Sequence, residues 1–188
     1  LQLGVTGMFS GEFHDHDNTY SRLIERNALL AEAYARYTLS KTTITLGREA
    51  RDWLMLGDYF EGAFLESLDL DGFRIRAAWV EKVAVFDPDE VVDYEKLNES
   101  NGVYGTEITY QSLDNIELTG LYYNAPNAYD IFGGHLALGI PINEQINSAL
   151  TIEYYETNEK RSFDDYPDGR GSIFHIGNEL SINDLTLS

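Results

Sequence analysis

Cysteine is absent from the 188 residues, proline occurs 4 times, and methionine and tryptophan occur twice each. Without thiols the chain has no disulfide and no thiolate metal site, a pattern that suits passage through a periplasm but is shared by many cytosolic proteins. Positive charge is scarce too. With 13 Lys and Arg against 32 Asp and Glu, the net charge of -19 leaves no basic patch for a phosphate backbone, which disfavours nucleic acid as a partner. No apolar run approaches the roughly 20 residues of a membrane helix, and no signal peptide opens the sequence, as in a mature or trimmed chain. A β-strand, by contrast, crosses a bilayer with about ten alternating residues.

What the sequence does contain is a rhythm of short alternating segments. In Leu29-Ala31-Ala33-Ala35-Tyr37-Leu39 the odd positions are apolar or small, while Glu32, Tyr34, Arg36 and Thr38 fall between them, and a strand sends the two sets to opposite faces. The pattern predicts strands at 1–11, 27–39, 42–50, 60–69, 73–84, 102–112, 116–124, 132–142, 147–157 and 172–182, with another starting at 185. Turn residues close the short connections Ser40-Lys41, Leu70-Asp71-Gly72, Leu113-Asp114-Asn115, Asn143-Glu144-Gln145 and Asn183-Asp184. Longer stretches at 12–26, 51–59, 85–101, 125–131 and 158–171 separate them. Short and long connections in alternation are expected of a barrel with tight turns at one end and external loops at the other.

Each strand has a greasy and a wet face. Leu3, Val5 and Phe9, Phe73, Ile75, Ala77 and Trp79, Ile116, Leu118 and Tyr122, Leu136, Leu138 and Ile140, and Phe174, Ile176 and Leu180 carry the first. Opposite lie Arg74, Arg76 and Lys82, Glu117, Thr119 and Tyr123, His135, Glu153 and Tyr155, and His175 and Glu179. In a soluble sandwich the greasy face would be an internal core, whereas in a membrane barrel it faces lipid and the charged face lines water. Loop alternation, the many charges on the wet face, and Tyr37, Trp79, Tyr104, Tyr110, Tyr122 and Tyr154 near the ends of apolar segments favour the barrel. The expectation is an all-β, antiparallel, up-and-down transmembrane barrel, one domain over 1–188.

The strings Thr43-Ile44-Thr45-Leu46-Gly47-Arg48-Glu49, Phe60-Glu61-Gly62-Ala63-Phe64-Leu65 and Leu70-Asp71-Gly72-Phe73-Arg74-Ile75-Arg76-Ala77-Ala78-Trp79 resemble the OprD-type outer-membrane porins, especially their epsilonproteobacterial relatives. Glu49 stands where those have Gln, and Trp79 where they have Tyr. The likeness covers about 28–85 well and the remainder by rhythm. It implies a large barrel with a pore in each monomer, often trimeric, in a Gram-negative outer membrane, admitting small polar solutes such as amino acids or organic acids. Such porins have roughly eighteen strands and end on an aromatic residue, neither of which is found here. Because an open sheet edge in lipid leaves backbone groups unsatisfied, the chain is expected to belong to a longer porin.

The functional expectation rests on wet-face charge: Glu32, Arg36, Glu66, Arg74, Arg76, Glu107, Glu117, Glu153 and Glu179 as pore-lining residues. Opposed charges orient zwitterions and their net sign biases ion selectivity, while an Arg neutralising a neighbouring Glu also steadies the wall. The resemblance implies an arginine-lined path for carboxylates, whereas the acidic balance favours cations. Lipid and lipopolysaccharide are the expected outer partners. His14-Asp15-His16-Asp17 could hold a transition metal and the runs Asp87, Asp89, Glu90, Asp93 and Asp164, Asp165, Asp168 a hard cation, but no distant ligand completes the first and no EF-hand spacing the second, so solvated loops are the ordinary reading and no metal or cofactor is expected. Gly133-Gly134 lacks the Lys-Ser/Thr of a phosphate loop, and no carboxylate pair or nucleophile elbow marks an enzyme. The rival reading is a soluble secreted all-β carbohydrate-binding module that uses Tyr and Trp as stacking platforms.

Overall fold

A computed structural model describes residues 1–9, 28–86, 91–143, 146–160, 169–182 and 185–187. The strands are β1 (Gln2–Phe9), β2 (Ala28–Leu39), β3 (Thr42–Ala50), β4 (Tyr59–Ser67), β5 (Phe73–Phe86), β6 (Val91–Lys96), β7 (Val103–Leu113), β8 (Ile116–Ala125), β9 (Tyr129–Asn143), β10 (Ile146–Glu159), β11 (Arg170–Ile182) and β12 (Leu185–Leu187). They follow one another in sequence order through one sheet, except that β6 leaves the path and pairs only with β5. Every pairing described strand by strand is antiparallel. Among the described residues no helix is long and apolar enough to cross a membrane.

Two expectations are corrected. The stretch 85–101, read as a long loop, contains β6, whose register with β5 runs from Lys82↔Lys96 to Phe86↔Val91. The stretch 125–131 is not a long loop either: β8 runs to Ala125 and β9 begins at Tyr129, with Asn127 at φ 60° making the tight connection. Strict alternation of short and long connections therefore fails at that point. The turns Asn143-Glu144-Gln145 and Asn183-Asp184 fall partly outside the described residues.

The chain divides into two compact units, 1–65 with 78–104, and 66–77 with 105–188. In the first, Ser40 takes the left-handed conformation (φ 56°) that the two-residue β2–β3 turn needs. Ala31 and Ala84 are fully buried, with Met8, Tyr59, Phe86 and Tyr94 packed on them. The segment between β3 and β4 folds back on itself through paired Trp53 and Leu56, both buried, and Trp53 meets Phe64 edge-on at 6.0 Å. Two glycines are there for want of a side chain: a Cβ on Gly47 (φ 116°) would sit 2.2 Å from the Ala33 carbonyl oxygen, and one on Gly62 2.1 Å from that of Trp79.

In the second unit the tight turns gather at one end of the strands. Gln111 N–H donates to Gly72 O at 2.8 Å, and Gly139 N–H to Asn115 O at 2.7 Å, which sets the Asp71-Gly72 and Asp114-Asn115 turns beside each other and beside the far end of β9. Register then stacks residues into rows across β8 to β11. Leu118, Leu136, Ile152 and Ile176 make an apolar row, and on the opposite face the next positions, Thr119, His135, Glu153 and His175, make a polar one.

Apolar side chains such as Phe60, Phe64, Val80, Val103 and Leu121 are buried, but the sheet also exposes many large apolar residues while enclosing carboxylates and threonines. Leu118 is 52% exposed and Ile176 57%, together with Leu3, Val5, Leu46, Trp79, Tyr104, Ile108, Tyr122, Ile140, Tyr154 and Phe174, whereas Thr45, Glu49, Glu107, Thr109 and Thr119 are among the most buried side chains. A sandwich core would bury the first set and leave the second in water. Among the described residues no second sheet covers the apolar face.

Candidate functional site

The polar face holds its charges in cross-strand groups, as the two-residue side-chain period dictates. In the first unit, Arg36 on β2 reaches Glu49 on β3 and donates from Nε to Thr45 Oγ1 at 3.2 Å, while Arg51 closes on the other Glu49 oxygen. The Arg51 guanidinium also lies 4.1 Å from the Phe64 ring centre, so the pair is shielded on its apolar side. Glu61 on β4 accepts from Arg48 Nε at 2.5 Å and from Lys82 Nζ on β5 at 2.6 Å. Glu32 accepts from Thr6 at 2.5 Å.

Tyr94 on β6 belongs to the same group. Its ring lies 4.4 Å under the Arg48 guanidinium and its hydroxyl donates to Ala31 O. Burial pushes this phenol up from its ordinary pKa, so it remains a donor across the physiological range. Through Tyr94, the off-path strand is tied to the wall at Ala31 and Arg48.

In the second unit, Arg76 bridges two carboxylates, Glu66 at 2.7 Å and Glu107 at 3.5 Å. Glu107 is 1% exposed and accepts from Tyr123 Oη at 2.8 Å. Beside it Thr109 and Thr119 share a buried hydrogen bond at 2.9 Å. Arg74 faces Glu117 at 3.7 Å, and Gln111 donates to the same carboxylate. Glu153 on β10 is flanked by His175 on β11 at 3.1 Å and His135 on β9 at 4.0 Å, and it accepts from Tyr155 Oη at 3.3 Å.

Of the residues singled out by alternation, Glu66, Arg76 and Glu107 converge, Arg74 meets Glu117, Arg36 meets Glu49, and Glu32 and Glu153 have the partners given above. Glu179 is exposed opposite Ala149 and enters no ion pair among the described residues. Alternation missed Arg48, Glu49, Arg51, Glu61 and Tyr94. The signal for most of these lies in the glycines: Arg48 and Glu49 follow Gly47, whose positive φ interrupts the extended geometry, and Glu61 precedes Gly62. Among the described residues no group of His, Asp and Glu is arranged to hold a metal ion. The His14-Asp15-His16-Asp17 string and the acidic runs, Asp93 excepted, lie outside the described residues.

An antiparallel sheet with an exposed apolar face and buried cross-strand charges on the other is the construction of a membrane barrel wall. No protein-family model and no curated protein sequence matches the chain. Solved structures do match it. Over 97% of its length the chain superposes on OccAB2 of Acinetobacter baumannii with TM-score 0.72 and 18% identity, covering 52% of that chain. The chain has the fold of the OprD/Occ outer-membrane porins. Pseudomonas aeruginosa OpdK, solved with vanillate, matches over 88% of this chain and 50% of that one, with TM-score 0.71 and 12% identity. OccD3 (OpdP) of the same organism matches over 81% and 40%, with TM-score 0.69 and 16% identity. The chain thus spans about half the length of the OprD/Occ porins it matches.

Proposed function

We propose that this chain forms wall of an outer-membrane porin of a Gram-negative bacterium, apolar band to lipid and charged face to a water-filled path for ions and small polar solutes. The observation that carries the reading is an exposed apolar face bearing Leu46, Leu118, Tyr154 and Ile176, with Glu107, Glu49 and their arginine partners enclosed on the other side. In lipid that arrangement satisfies both faces, whereas in water it would leave a broad apolar surface uncovered. Among the described residues the carbohydrate-binding reading finds no second sheet packed on the apolar face to support it. Lipid and lipopolysaccharide would contact the outer face; a trimeric assembly rests on the resemblance alone. No catalytic role is proposed, because the convergent groups are ion pairs rather than an acid, base and nucleophile around an open site.

Arg36, Arg74 and Arg76 with Glu32, Glu66, Glu107, Glu117, Glu153 and Glu179 are the proposed lining residues. Replacing Arg74 and Arg76 with Gln removes positive charge from a confined path and should move the reversal potential under a salt gradient toward cation selectivity. Glu117→Gln with Glu153→Gln should move it the other way. The measurement is made in planar bilayers on the complete barrel whose wall this chain forms. Unchanged potentials in both variants, with normal conductance, would remove these residues from the rate-determining part of the path.

A further inference from the structure

Register places two imidazoles on either side of one carboxylate. On β10, Glu153 is paired with His135 of β9 and with His175 of β11 at the same level of the sheet. His175 Nδ1 lies 3.1 Å from Glu153 Oε2, and His135 Nε2 4.0 Å from Oε1. Their side chains are 57% and 15% exposed, respectively, and that of Glu153 24%, so protons reach the row from the polar face. These are half of the chain's 4 histidines, and both lie on the charged face rather than the lipid one.

Resting on the porin reading above, we infer that the row His135, Glu153, His175 determines the charge selectivity of the path and that proton binding sets its sign. With both imidazoles neutral the row carries one negative charge, that of Glu153. With both protonated it carries one positive charge, a change of two elementary charges at one level of the wall. Imidazole is the side chain that ordinarily gains and loses its proton within the range where carboxylates stay ionised. Protonation also makes the His175 contact at 3.1 Å a charge-assisted hydrogen bond and sets a second positive charge 4.0 Å from Glu153.

The surrounding charges do not mask this change. On β10, Tyr155 donates to Glu153. On β8, Tyr123 is taken up by Glu107, which is itself held by Arg76, and Glu117 stands level with Ala137, two residues along β9 from His135. Asp130, further along β9, is paired with Lys160 at 2.8 Å. On β11, Glu179 is four residues from His175, and β12 (Leu-Thr-Leu) brings no titratable side chain. The row thus holds the only imidazoles among the described residues, and both lie on this face.

Two elementary charges about 8 Å from a passing ion are worth about a fivefold change in its partition even at the dielectric constant of water. The test is the cation-to-anion permeability ratio, in planar bilayers, of the complete barrel whose wall this chain forms, from reversal potentials at pH 8 and pH 5.5. Because the cation's partition falls and the anion's rises by that factor, the ratio should fall about twenty-five-fold on acidification. His135→Gln with His175→Gln should abolish most of that fall, whereas His14→Gln with His16→Gln should leave it in place. Should the double row variant fold poorly, His175→Gln alone removes only an exposed ring and should halve the response on a logarithmic scale. An equal pH response in the row variants and the parent, or its loss in the His14 and His16 variant, overturns the inference. Absence of any conductance at either pH instead overturns the porin reading beneath it.

Discussion

Arg76→Ala is expected to destabilise the folded protein in lipid by about 3–5 kcal/mol, the usual consequence of stranding one member of a buried ion pair. The stranded group is Glu107, which is 1% exposed and faces Arg76 at 3.5 Å. Tyr123 continues to donate to it at 2.8 Å, but a neutral phenol does not replace a guanidinium beside an enclosed negative charge. Adding Glu107→Gln should restore much of the loss, because the amide oxygen can still accept from Tyr123 and no charge is left to neutralise. Urea unfolding in lipid vesicles gives both values. A loss below about 1 kcal/mol for Arg76→Ala would mean that water reaches Glu107 and screens it as at an open surface.

Leu118→Arg is expected to be nearly as damaging, by about 2–4 kcal/mol where the side chain lies near the bilayer midplane and less toward its edges. Leu118 belongs to the apolar row with Leu136, Ile152 and Ile176, between the Tyr122 and Phe132 pair and the turn end of the strands. Its guanidinium would have to leave the hydrocarbon or take water with it. Ala137→Arg, on the charged face, should cost much less. Thr119 is unsuitable as a comparison although it shares that face: it is 2% exposed and bonded to Thr109 at 2.9 Å, so an Arg there would be resisted by packing. If Leu118→Arg and Ala137→Arg destabilise equally, the two faces do not meet different solvents.

The two-residue period made most of the strands legible, because nothing else in the chain competes with it: there is no cysteine and little proline to interrupt. It also separated Leu118 from Thr119 and Trp79 from Arg76 correctly. It failed where the backbone leaves ideal extension. Beyond Gly47, Arg48 and Glu49 both enter ion pairs, a result that strict alternation cannot give. The strand Val91–Lys96 was hidden because its residues belong to no long alternating run; Tyr94, reaching Ala31 and Arg48, ties it to the fold. Partners were less legible than faces. Alternation placed Glu66, Arg76 and Glu107 on one face, but that Arg76 joins the other two, or that Glu153 falls level with both His135 and His175, depends on register. Register is fixed by turns and by close approaches such as that of Gly62 to Trp79, which involve residues far apart in sequence.

The central claim is that one face of this sheet meets lipid and the other water. Because the chain has no native cysteine, single cysteines carrying spin labels can be placed in turn at Ile116, Glu117, Leu118 and Gly120 on β8, and at Leu150, Thr151, Ile152, Glu153 and Tyr154 on β10, in the complete barrel reconstituted in lipid. Collision with oxygen, which concentrates in hydrocarbon, and with a water-soluble nickel chelate is then measured at each site. The account predicts that oxygen dominates at every even position and that the nickel chelate gains at every odd one, with a period of two along both strands. Labels at even positions that meet neither reagent, with odd ones open to the chelate alone, would show the apolar face packed inside a soluble protein and would contradict it.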